Sequence, residues 1–259
     1  MLKNVKALIK SHEKIADGIY RMVLYCPEAD LVHFIPGQFA HIQIPGHNEL
    51  LLKRPISINA LDESAHTVTL IYQVKGNGTR ALLTALPGTS LYAILPVGRG
   101  FHLSASDKKV FLVGGGVGIA PLPTVVARWP DRQYEVFLGY RSQPFAYCQN
   151  DFTTCDMVHV ASDDGTIGEP GLVTSMIKKN LHADRPDIVL ACGPTPMLLA
   201  LKELLGGTGI RCQVSMEQRM CCGFGACATC VCGINTPQGM DYKKVCVEGP
   251  VFDLSEVVL

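Results

Sequence analysis

Four cysteines in the last sixth of the chain have the spacing of iron–sulfur ligands. Cys222, Cys227 and Cys230 follow the pattern C-x4-C-x2-C, and Cys246 comes after a short insertion. This is the plant-type spacing of a [2Fe–2S] cluster, which takes four thiolates. Small residues between the first two cysteines would let backbone N–H groups approach the sulfurs. The sequence therefore predicts that these four cysteines bind a [2Fe–2S] cluster.

Two other uses of the cysteines were weighed. Zinc also takes four thiolates, but structural zinc sites usually show two short C-x2-C pairs, and only Cys227 and Cys230 form one here. A disulfide framework is disfavoured because the chain has eleven cysteines, an odd number, and shows no secretion signal. Cys221 and Cys232 are surplus. Only Cys222 gives the four-residue gap, so both surplus thiols are predicted to be packing residues.

A second group of residues could bind a flavin nucleotide. The motif Arg54-Pro55-Ile56-Ser57 begins a predicted strand, and Gly76-Asn77-Gly78-Thr79 precedes a predicted helix. Arginine presents a fixed fork of donors that suits a pyrophosphate, and free N–H groups at a helix start bind anions. A hydroxyl or backbone N–H at Ser57 could bond the flavin ring near N5. Each motif alone also fits an edge-strand arginine and an ordinary turn.

A third group lies where a nicotinamide nucleotide would bind. The glycine loop 114–121 follows one predicted strand, and Cys192-Gly193-Pro194 follows another. The loop is not the Rossmann fingerprint, because Ile119 stands where the third glycine should be. In parallel sheets ligands bind at the carboxyl ends of the strands, where residues 163–166 also lie. Arg141 could meet a 2′-phosphate or could be a solvated loop residue, so NAD is only weakly preferred to NADP. The alternative role for Cys192 is a small buried residue.

The elements that must position these residues fall into two patterns. Short alternating strands punctuated by Gly and Pro fill the first hundred residues and predict a small antiparallel barrel. The predicted strands are 18–26, 38–44, 54–59, 67–74 and 90–96, with one helix at 79–86.

From residue 109 onward, strands alternate with helices, which predicts a parallel sheet covered on both faces. The predicted strands are 109–113, 134–139, 157–161, 187–192 and 210–214. One predicted helix follows the glycine loop and ends at 128, and two more span 171–181 and 196–205, the last with Thr195 as its N-cap. The predicted fold class is α/β plus β. An antiparallel β-barrel covers 1–101, a parallel α/β nucleotide-binding domain covers 102–213, and a small cluster domain covers 214–259.

Composition narrows the class of protein. The 259 residues have a formal net charge of zero and no block of Lys or Arg, which disfavours nucleic acid as a partner. The uncharged run 110–127 contains four Gly and two Pro, which disfavours a membrane span. The N-terminus lacks an apolar signal-peptide core, and many cysteines without such a signal predict the reducing cytoplasm. The eight histidines are scattered and are expected to be surface or packing residues.

The motifs in this order resemble the ferredoxin–NAD(P) reductase superfamily. They are R-P-I-S at 54–57, G-x-G-T at 76–79, G-G-G-V-G-I-A-P at 114–121 and C-G-P-x-P-M at 192–197. With C-G-x-G-A-C-x-x-C at 222–230 and the segment 244–252, the whole chain is similar to the electron-transfer subunits of type 1B, NAD-linked dihydroorotate dehydrogenase. Ile56 replaces the usual aromatic residue, in agreement with this narrower family. The chain ends in Val257-Val258-Leu259 rather than an aromatic residue, so another group must cover the flavin.

The resemblance implies the cofactors FAD, a [2Fe–2S] cluster and NAD, with FAD between the other two. It implies that FAD is bound by Arg54, Pro55, Ile56, Ser57, Ile71, Tyr72, Gln73, Gly78 and Thr79. It places NAD near Gly115, Gly116, Gly118, Cys192, Gly193 and Pro194. No Ser-His-Asp or paired-carboxylate constellation is evident, so no catalytic side chain is predicted.

The resemblance also implies a partner. Electrons would pass from an FMN-containing, dihydroorotate-oxidising catalytic subunit through the cluster and FAD to NAD⁺ in pyrimidine biosynthesis, within a heterotetramer of two copies of each chain. One alternative is an NADH-dependent flavin and iron–sulfur reductase that feeds another redox enzyme. Another is a redox-sensing or zinc-stabilised binding module without turnover.

Overall fold

The computed structural model describes residues 4–47 and 49–259, apart from the side chain of residue 182. Its first part is a closed antiparallel barrel with the strand order β1-β2-β5-β4-β3-β6. The strands are β1 (Asn4–Ala16), β2 (Ile19–Tyr25), β3 (Phe39–Ile42), β4 (Arg54–Asp62), β5 (Thr67–Gln73) and β6 (Ser90–Val97). Ala40, Ile42 and Ile58 point into one apolar core inside the barrel. The predicted barrel is therefore confirmed.

Strand β1 is the barrel strand that the sequence analysis missed. It pairs with both β2 and β6 and so closes the barrel. Val5, Ala7 and Ile9 alternate into the core. The pairing register then shifts between Ile9 and Ser11, and the second half of the strand is polar and half-exposed. This weakens the period-two pattern on which strand prediction depends.

The predicted helix 79–86 has the wrong bounds. Helix α1 spans Asn77–Ala81 and is followed by a 3-10 turn over Leu82–Thr84. The Thr79 hydroxyl accepts hydrogen bonds from the backbone N–H groups of Lys75 (3.0 Å) and Gly76 (3.2 Å), so the helix begins before Thr79. Ala85 is already extended, and Pro87 disfavours helical backbone in the residue before it.

The second part is a seven-stranded sheet with the order β10-β9-β8-β7-β11-β12-β15. Its strands are β7 (Lys109–Gly115), β8 (Gln133–Tyr140), β9 (Met157–Ser162), β10 (Glu169–Pro170), β11 (Ile188–Cys192), β12 (Arg211–Ser215) and β15 (Val251–Asp253). All neighbours are parallel except β12 and β15. Phe111 and Val113 of β7 belong to one core, and Val110 and Leu112 belong to another on the opposite face. Both faces are covered, as predicted.

Three helices cover this sheet. They are α2 (Pro123–Arg128), α3 (Val173–Ala183) and α4 (Thr195–Leu205). The sequence analysis predicted Thr195 as the N-cap of α4, but Thr195 is the first residue of the helix. Pro194 occupies that position with extended backbone, and its carbonyl accepts the N–H groups of Met197 and Leu198.

The last segment forms a hairpin of β13 (Val231–Thr236) and β14 (Gly239–Lys244) before it enters the sheet. Strand β15 pairs antiparallel with β12, and a bridge joins Ile234 to Val257. Cys230, Cys246 and Phe252 are buried in the same core as α3 and α4. Among the helices of the described residues, none is long and apolar enough to cross a membrane.

Candidate cofactor-binding sites

One cleft of about 1000 Å³ lies where the barrel, the sheet and the C-terminal segment meet. All nine predicted flavin-binding residues line it: Arg54, Pro55, Ile56, Ser57, Ile71, Tyr72, Gln73, Gly78 and Thr79. They come from β4, from β5 and from the start of α1. The barrel therefore brings together two motifs that are separate in the sequence.

The Arg54 side chain packs directly against Gly78. A Cβ atom at Gly78 would lie 1.9 Å from Arg54 Nε, so a larger residue here would displace the Arg54 side chain from its present position. The guanidinium donates to the carbonyls of Leu52 and Lys53. Because a guanidinium has five N–H donors, others remain for an anion at the cleft wall. This arrangement fits the pyrophosphate of a dinucleotide, which arginine binds through two parallel hydrogen bonds.

Tyr72 is fixed in the cleft wall by His12, a residue that the sequence analysis did not identify. His12 Nδ1 lies 2.9 Å from the Ala85 carbonyl, and His12 Nε2 lies 2.8 Å from the Tyr72 hydroxyl. A carbonyl only accepts, so Nδ1 carries the proton and Nε2 accepts from the hydroxyl. Burial raises the pKa of Tyr72, which keeps the phenol protonated as a donor. No sequence pattern links these two residues.

The two nicotinamide motifs meet at the carboxyl ends of β7 and β11. A Cβ atom at Gly118 would lie 2.3 Å from the Cys192 carbonyl oxygen. A Cβ atom at Gly115 would lie 2.7 Å from Met197 Sδ, and one at Gly193 would lie 3.1 Å from the Gly115 nitrogen. Gly118 is therefore required for the close packing of the two loops, because it faces a backbone oxygen, whereas the nearest atoms at Gly115 and Gly193 belong to the flexible Met197 side chain.

Only one of the six residues predicted to contact NAD lies on the cleft wall. Cys192 lines it, whereas Gly115, Gly116, Gly118, Gly193 and Pro194 are not among the lining residues. Burial raises the pKa of the Cys192 thiol to about 12, so the thiol is neutral at pH 7. The glycines shape the loop behind the wall, and Cys192 presents a small uncharged side chain to the cleft.

The linker after β12 also lines the cleft, and the sequence analysis missed it. The lining residues here are Ser215, the last residue of β12, and the linker residues Met216, Glu217, Gln218, Arg219 and Met220. A signal was available, because the strand predicted at 210–214 ends at the same sheet edge as the other two motifs. This linker leads from the cleft to the first predicted cluster ligand.

A second, smaller pocket lies at the same edge of the sheet. Arg141, Ser142, Phe145, Asp163 and Asp164 line it, and the Arg141 guanidinium lies 5.9 Å from the centre of the Phe145 ring. The structure therefore brings Arg141 close to two carboxylates. The two carboxylates would repel the two negative charges of a 2′-phosphate.

The four predicted cluster cysteines form two pairs. The Sγ atoms of Cys222 and Cys227 lie 3.4 Å apart, and the thiol of Cys246 contacts that of Cys230. In the described residues, no group of three His, Cys, Asp or Glu side chains is arranged to hold a single metal ion. Two pairs of thiols are the donor set that two irons need, with two thiolates on each iron, so the residues fit a [2Fe–2S] cluster.

The two pairs have different environments. Hydrogen bonds from Thr229 lower the pKa of the Cys227 thiol to about 6, and burial raises the pKa of Cys246 to about 12. Cys221 is exposed, and its thiol also contacts Cys227. Cys232 is buried on β13 and points its sulfur at the Lys243 carbonyl. The choice of Cys222 rather than Cys221 as a ligand remains a prediction.

The loop that carries the first three cysteines depends on two glycines with left-handed backbone. Gly223 has a φ of +77° and Gly225 a φ of +88°. Lys244 Nζ donates to the Gly225 carbonyl at 2.7 Å, and the Val245 N–H donates to the Cys230 carbonyl at 2.8 Å. The hairpin strand β14 and the residue after it thus hold the cluster loop beside Cys246.

His41 of β3 is buried against this loop and was not identified from the sequence. A Cβ atom at Gly223 would lie 2.2 Å from His41 Nδ1. Neither ring nitrogen has a hydrogen-bond partner among the described residues. Burial lowers the pKa of the ring to about 4. The prediction that the histidines are surface or packing residues does not account for an imidazole with two unpaired nitrogens.

Comparison with known proteins identifies the family. The family model for the iron–sulfur cluster binding domain of dihydroorotate dehydrogenase B matches residues 217–258. The "Dihydroorotate dehydrogenase B (NAD(+)), electron transfer subunit" of Shouchella clausii is 38% identical over 99% of both chains. The protein of the same name from Enterococcus faecalis is 41% identical over 97% of both chains.

Solved structures share the fold. An NADH-dependent reduced ferredoxin–NADP oxidoreductase superimposes with a TM-score of 0.86 at 24% identity, over 97% of this chain and 89% of the other. Phthalate dioxygenase reductase gives a TM-score of 0.66 at 18% identity, over 93% of this chain and 76% of the other. At these identities the likeness supports the fold alone.

The comparisons confirm the predicted resemblance, the fold class and the prediction of an oxidoreductase. They also confirm the combination of an iron–sulfur cluster binding domain with a ferredoxin-reductase-like fold in an NAD⁺-linked family. The name of the relatives describes a subunit, which implies a separate catalytic partner. The chain belongs to the family of electron transfer subunits of NAD⁺-linked dihydroorotate dehydrogenase B.

Proposed function

We propose that this chain passes electrons from an FMN-containing, dihydroorotate-oxidising subunit through a [2Fe–2S] cluster and FAD to NAD⁺ in pyrimidine biosynthesis. The observation that carries the proposal is the single cleft that Arg54, Cys192 and Met220 line together. These residues belong to the flavin motif, the nicotinamide motif and the linker to the cluster loop. A site for three redox groups in sequence needs such a meeting point.

The cofactors divide among three parts of the chain: the barrel 1–101, the α/β part 102–213 and the C-terminal part 214–259. Cys222, Cys227, Cys230 and Cys246 hold the cluster. The nine barrel residues that line the cleft hold FAD, and Cys192 with the glycine loops bounds the place of NAD. When bound, FAD exchanges single electrons with the cluster and an electron pair with the nicotinamide, and the protein supplies position and electrostatics.

The residues between the cleft and the cluster exclude water and keep the two groups close. Met220 and Val245 line the cleft and are almost fully buried. Val245 is bonded through the backbone to Cys246, and Met220 precedes the cluster loop by one residue. The path from the cleft to the ligands is therefore short and apolar.

Asp163 and Asp164 support NAD rather than NADP as the nucleotide. They share a pocket with Arg141 at the carboxyl edge of the sheet. Carboxylates that face a ribose accept hydrogen bonds from its hydroxyls, whereas they repel a 2′-phosphate. Together they outweigh the one guanidinium that would attract it.

The C-terminal segment is the proposed face for the partner. Its exposed apolar side chains are Phe224, Met240, Tyr242, Val247 and Val258. Exposed apolar residues that cluster mark interaction sites, and a partner placed here would approach the cluster. The proposed assembly is a heterotetramer of two copies of each subunit in the cytoplasm, without nucleic acid or membrane.

Expression of the chain alone and with the dihydroorotate-oxidising subunit tests the proposal. Alone, the chain should oxidise NADH with an artificial acceptor and ignore dihydroorotate. Together, the pair should reduce NAD⁺ with dihydroorotate. Oxidation of dihydroorotate by the chain alone, or two chains that never associate, would overturn the proposal. A chain that instead feeds an unrelated redox enzyme would favour the stand-alone reductase.

A further inference from the structure

His41 lies at the junction between the flavin-binding strand and the cluster loop. On β3, Ala40 and Ile42 face the barrel core, and Phe39 faces the core that contains Cys230 and Cys246. Side chains alternate along a strand, so His41 shares the outward face with Phe39. It pairs with Pro55 of the flavin motif, and its ring contacts Gly223.

Packing alone does not explain a histidine at this position. The side chain is 0% exposed, and neither Nδ1 nor Nε2 is hydrogen-bonded in the described residues. A buried polar group without a partner destabilises the fold, and an apolar residue of similar size would avoid that cost. The ring is therefore expected to donate a hydrogen bond when the cluster loop takes its working conformation.

The nearest candidates for an acceptor are two backbone carbonyls. Those of Lys53 and Cys222 lie near the ring and favour its charged form, although neither reaches hydrogen-bond geometry in this structure. Lys53 directly precedes the flavin motif, and Cys222 is the first predicted cluster ligand. Nδ1 is the ring atom nearest to Gly223, so it faces the loop.

We propose that His41 is a positioning residue for the cluster, whose Nδ1–H donates to the Cys222 carbonyl and fixes the direction of the Cys222 thiolate. The inference rests on the proposed function, because it needs Cys222 as a ligand. A residue of barrel strand β3 would then hydrogen-bond the loop that holds the cluster. Loss of a hydrogen bond that orients a metal ligand typically costs 10–100-fold in metal affinity.

Two variants of equal size test the hydrogen bond. His41→Asn places an amide nitrogen close to the position of Nδ1, whereas His41→Leu fills the same space without a donor. Each is prepared in the complex with the dihydroorotate-oxidising subunit. The measurements are iron and sulfide content, the reduced-cluster EPR signal, the rate of iron loss to a chelator, and FAD content as the reference.

We expect His41→Leu to lose iron 10–100-fold faster than the wild type, with FAD content unchanged, and His41→Asn to remain within a few-fold of the wild type. We also expect a shifted cluster potential in His41→Leu alone. A tenfold change in the reduction equilibrium corresponds to 59 mV for one electron. Equal behaviour of the Leu and Asn variants, whether normal or impaired, would show that His41 only fills space.

Two controls keep the outcome interpretable. Phe39→Leu alters the same outward face without touching a donor and should retain the cluster. If His41→Leu does not fold and binds no FAD, His41→Gln replaces it, because the glutamine nitrogen mimics Nε2; equal cluster retention in the Asn and Gln variants would then refute the assignment to Nδ1. A wild-type complex without any reduced-cluster signal would instead refute the proposed function.

Discussion

The barrel and the C-terminal segment differ in the core that supports the residues of their sites. The barrel closes a core of its own, with buried residues that all come from residues 5–95. The buried residues of the C-terminal segment, among them Cys230, Cys246 and Phe252, pack instead with α3, α4 and the sheet. The flavin wall therefore rests on local strands, whereas the cluster ligands depend on the fold of the whole chain.

The backbone of the two sites differs in the same sense. Most of the flavin-binding side chains project from β4 and β5, and sites on regular elements are held more rigidly than sites on loops. The cluster loop has no regular structure around Gly223 and Gly225, and Lys244 and His41 contact it from outside. The precision of the cluster site must therefore come from its anchors.

The largest effect should come from the ligands. Cys222→Ser is expected to abolish the reduced-cluster EPR signal, because each iron needs two thiolates, while flavin absorption stays because the barrel is independent. Cys221→Ser, the matched neighbour, should keep both. A signal that survives in Cys222→Ser and disappears in Cys221→Ser would show that the ligand assignment is displaced by one residue.

The cluster-deficient variant also sharpens the order of the cofactors. If it retains FAD, Cys222→Ser should still reduce a dye with NADH at a rate within a few-fold of the wild type, because the proposed nicotinamide site at Cys192 lies in the same cleft as the flavin motif. Stopped-flow reduction of the flavin by NADH measures this. Dependence of that step on an intact cluster would contradict the proposed order.

Two core substitutions test whether the cores differ as described. Phe252→Ala and Leu70→Ala should each lower the free energy of unfolding by about 2–5 kcal/mol. Only Phe252→Ala should also reduce the iron content of the folded protein, because the Phe252 ring packs against Gly249, close to Cys246. Denaturant unfolding and iron analysis measure the two effects. Equal iron loss in both variants would contradict the conclusion that only the core containing Phe252 supports the cluster.

Arg54→Ala should affect the barrel site alone. Hydrogen bonds to charged groups contribute about 1.5–3 kcal/mol, so FAD affinity is expected to fall roughly 10- to 150-fold. Arg54→Lys should restore it only in part, because an ammonium cannot donate as a planar fork. FAD retained after dialysis measures the effect, and iron content serves as the control. Full flavin occupancy in Arg54→Ala would contradict the assignment.

The smallest effect concerns Cys26 in the barrel core. Burial raises its pKa from 9.0 to about 12. Its contribution to stability is complete below pH 9 and is lost as the pH rises toward 12. Between pH 8 and pH 10 the wild type should lose on the order of 1 kcal/mol more than Cys26→Ala. Urea unfolding at the two pH values measures this difference, and equal losses would contradict the burial effect.

Prediction from the sequence succeeded where the signal is local. The alternation of strands and helices and the cysteine spacing that indicates an iron–sulfur domain are each contained in a short window. The individual cluster ligands and flavin-binding residues stay predictions. Strand β1 was not predicted because its second half is polar and half-exposed on the barrel wall. The start of α1 was predicted two residues too late, because the Thr79 hydroxyl accepts hydrogen bonds from the preceding backbone N–H groups of Lys75 and Gly76.

The misses at the site have a common physical cause. His12 acts on Tyr72 across 60 residues, and His41 meets Gly223 across the barrel wall. Neither histidine has a neighbour in sequence that would reveal its partner, because strand pairing creates these contacts only after the barrel closes. The linker 216–220 is different, since the rule for parallel strand ends indicates its position.

The antiparallel strand β15 has a consequence for the biosynthesis of the protein. Chains emerge from the ribosome from the N-terminus, and domains fold as they appear. The barrel can therefore fold early, whereas the core that buries Cys230 and Cys246 is incomplete until Val251–Asp253 has been synthesised and has paired with β12. We therefore expect the cluster to be loaded only after the barrel has folded.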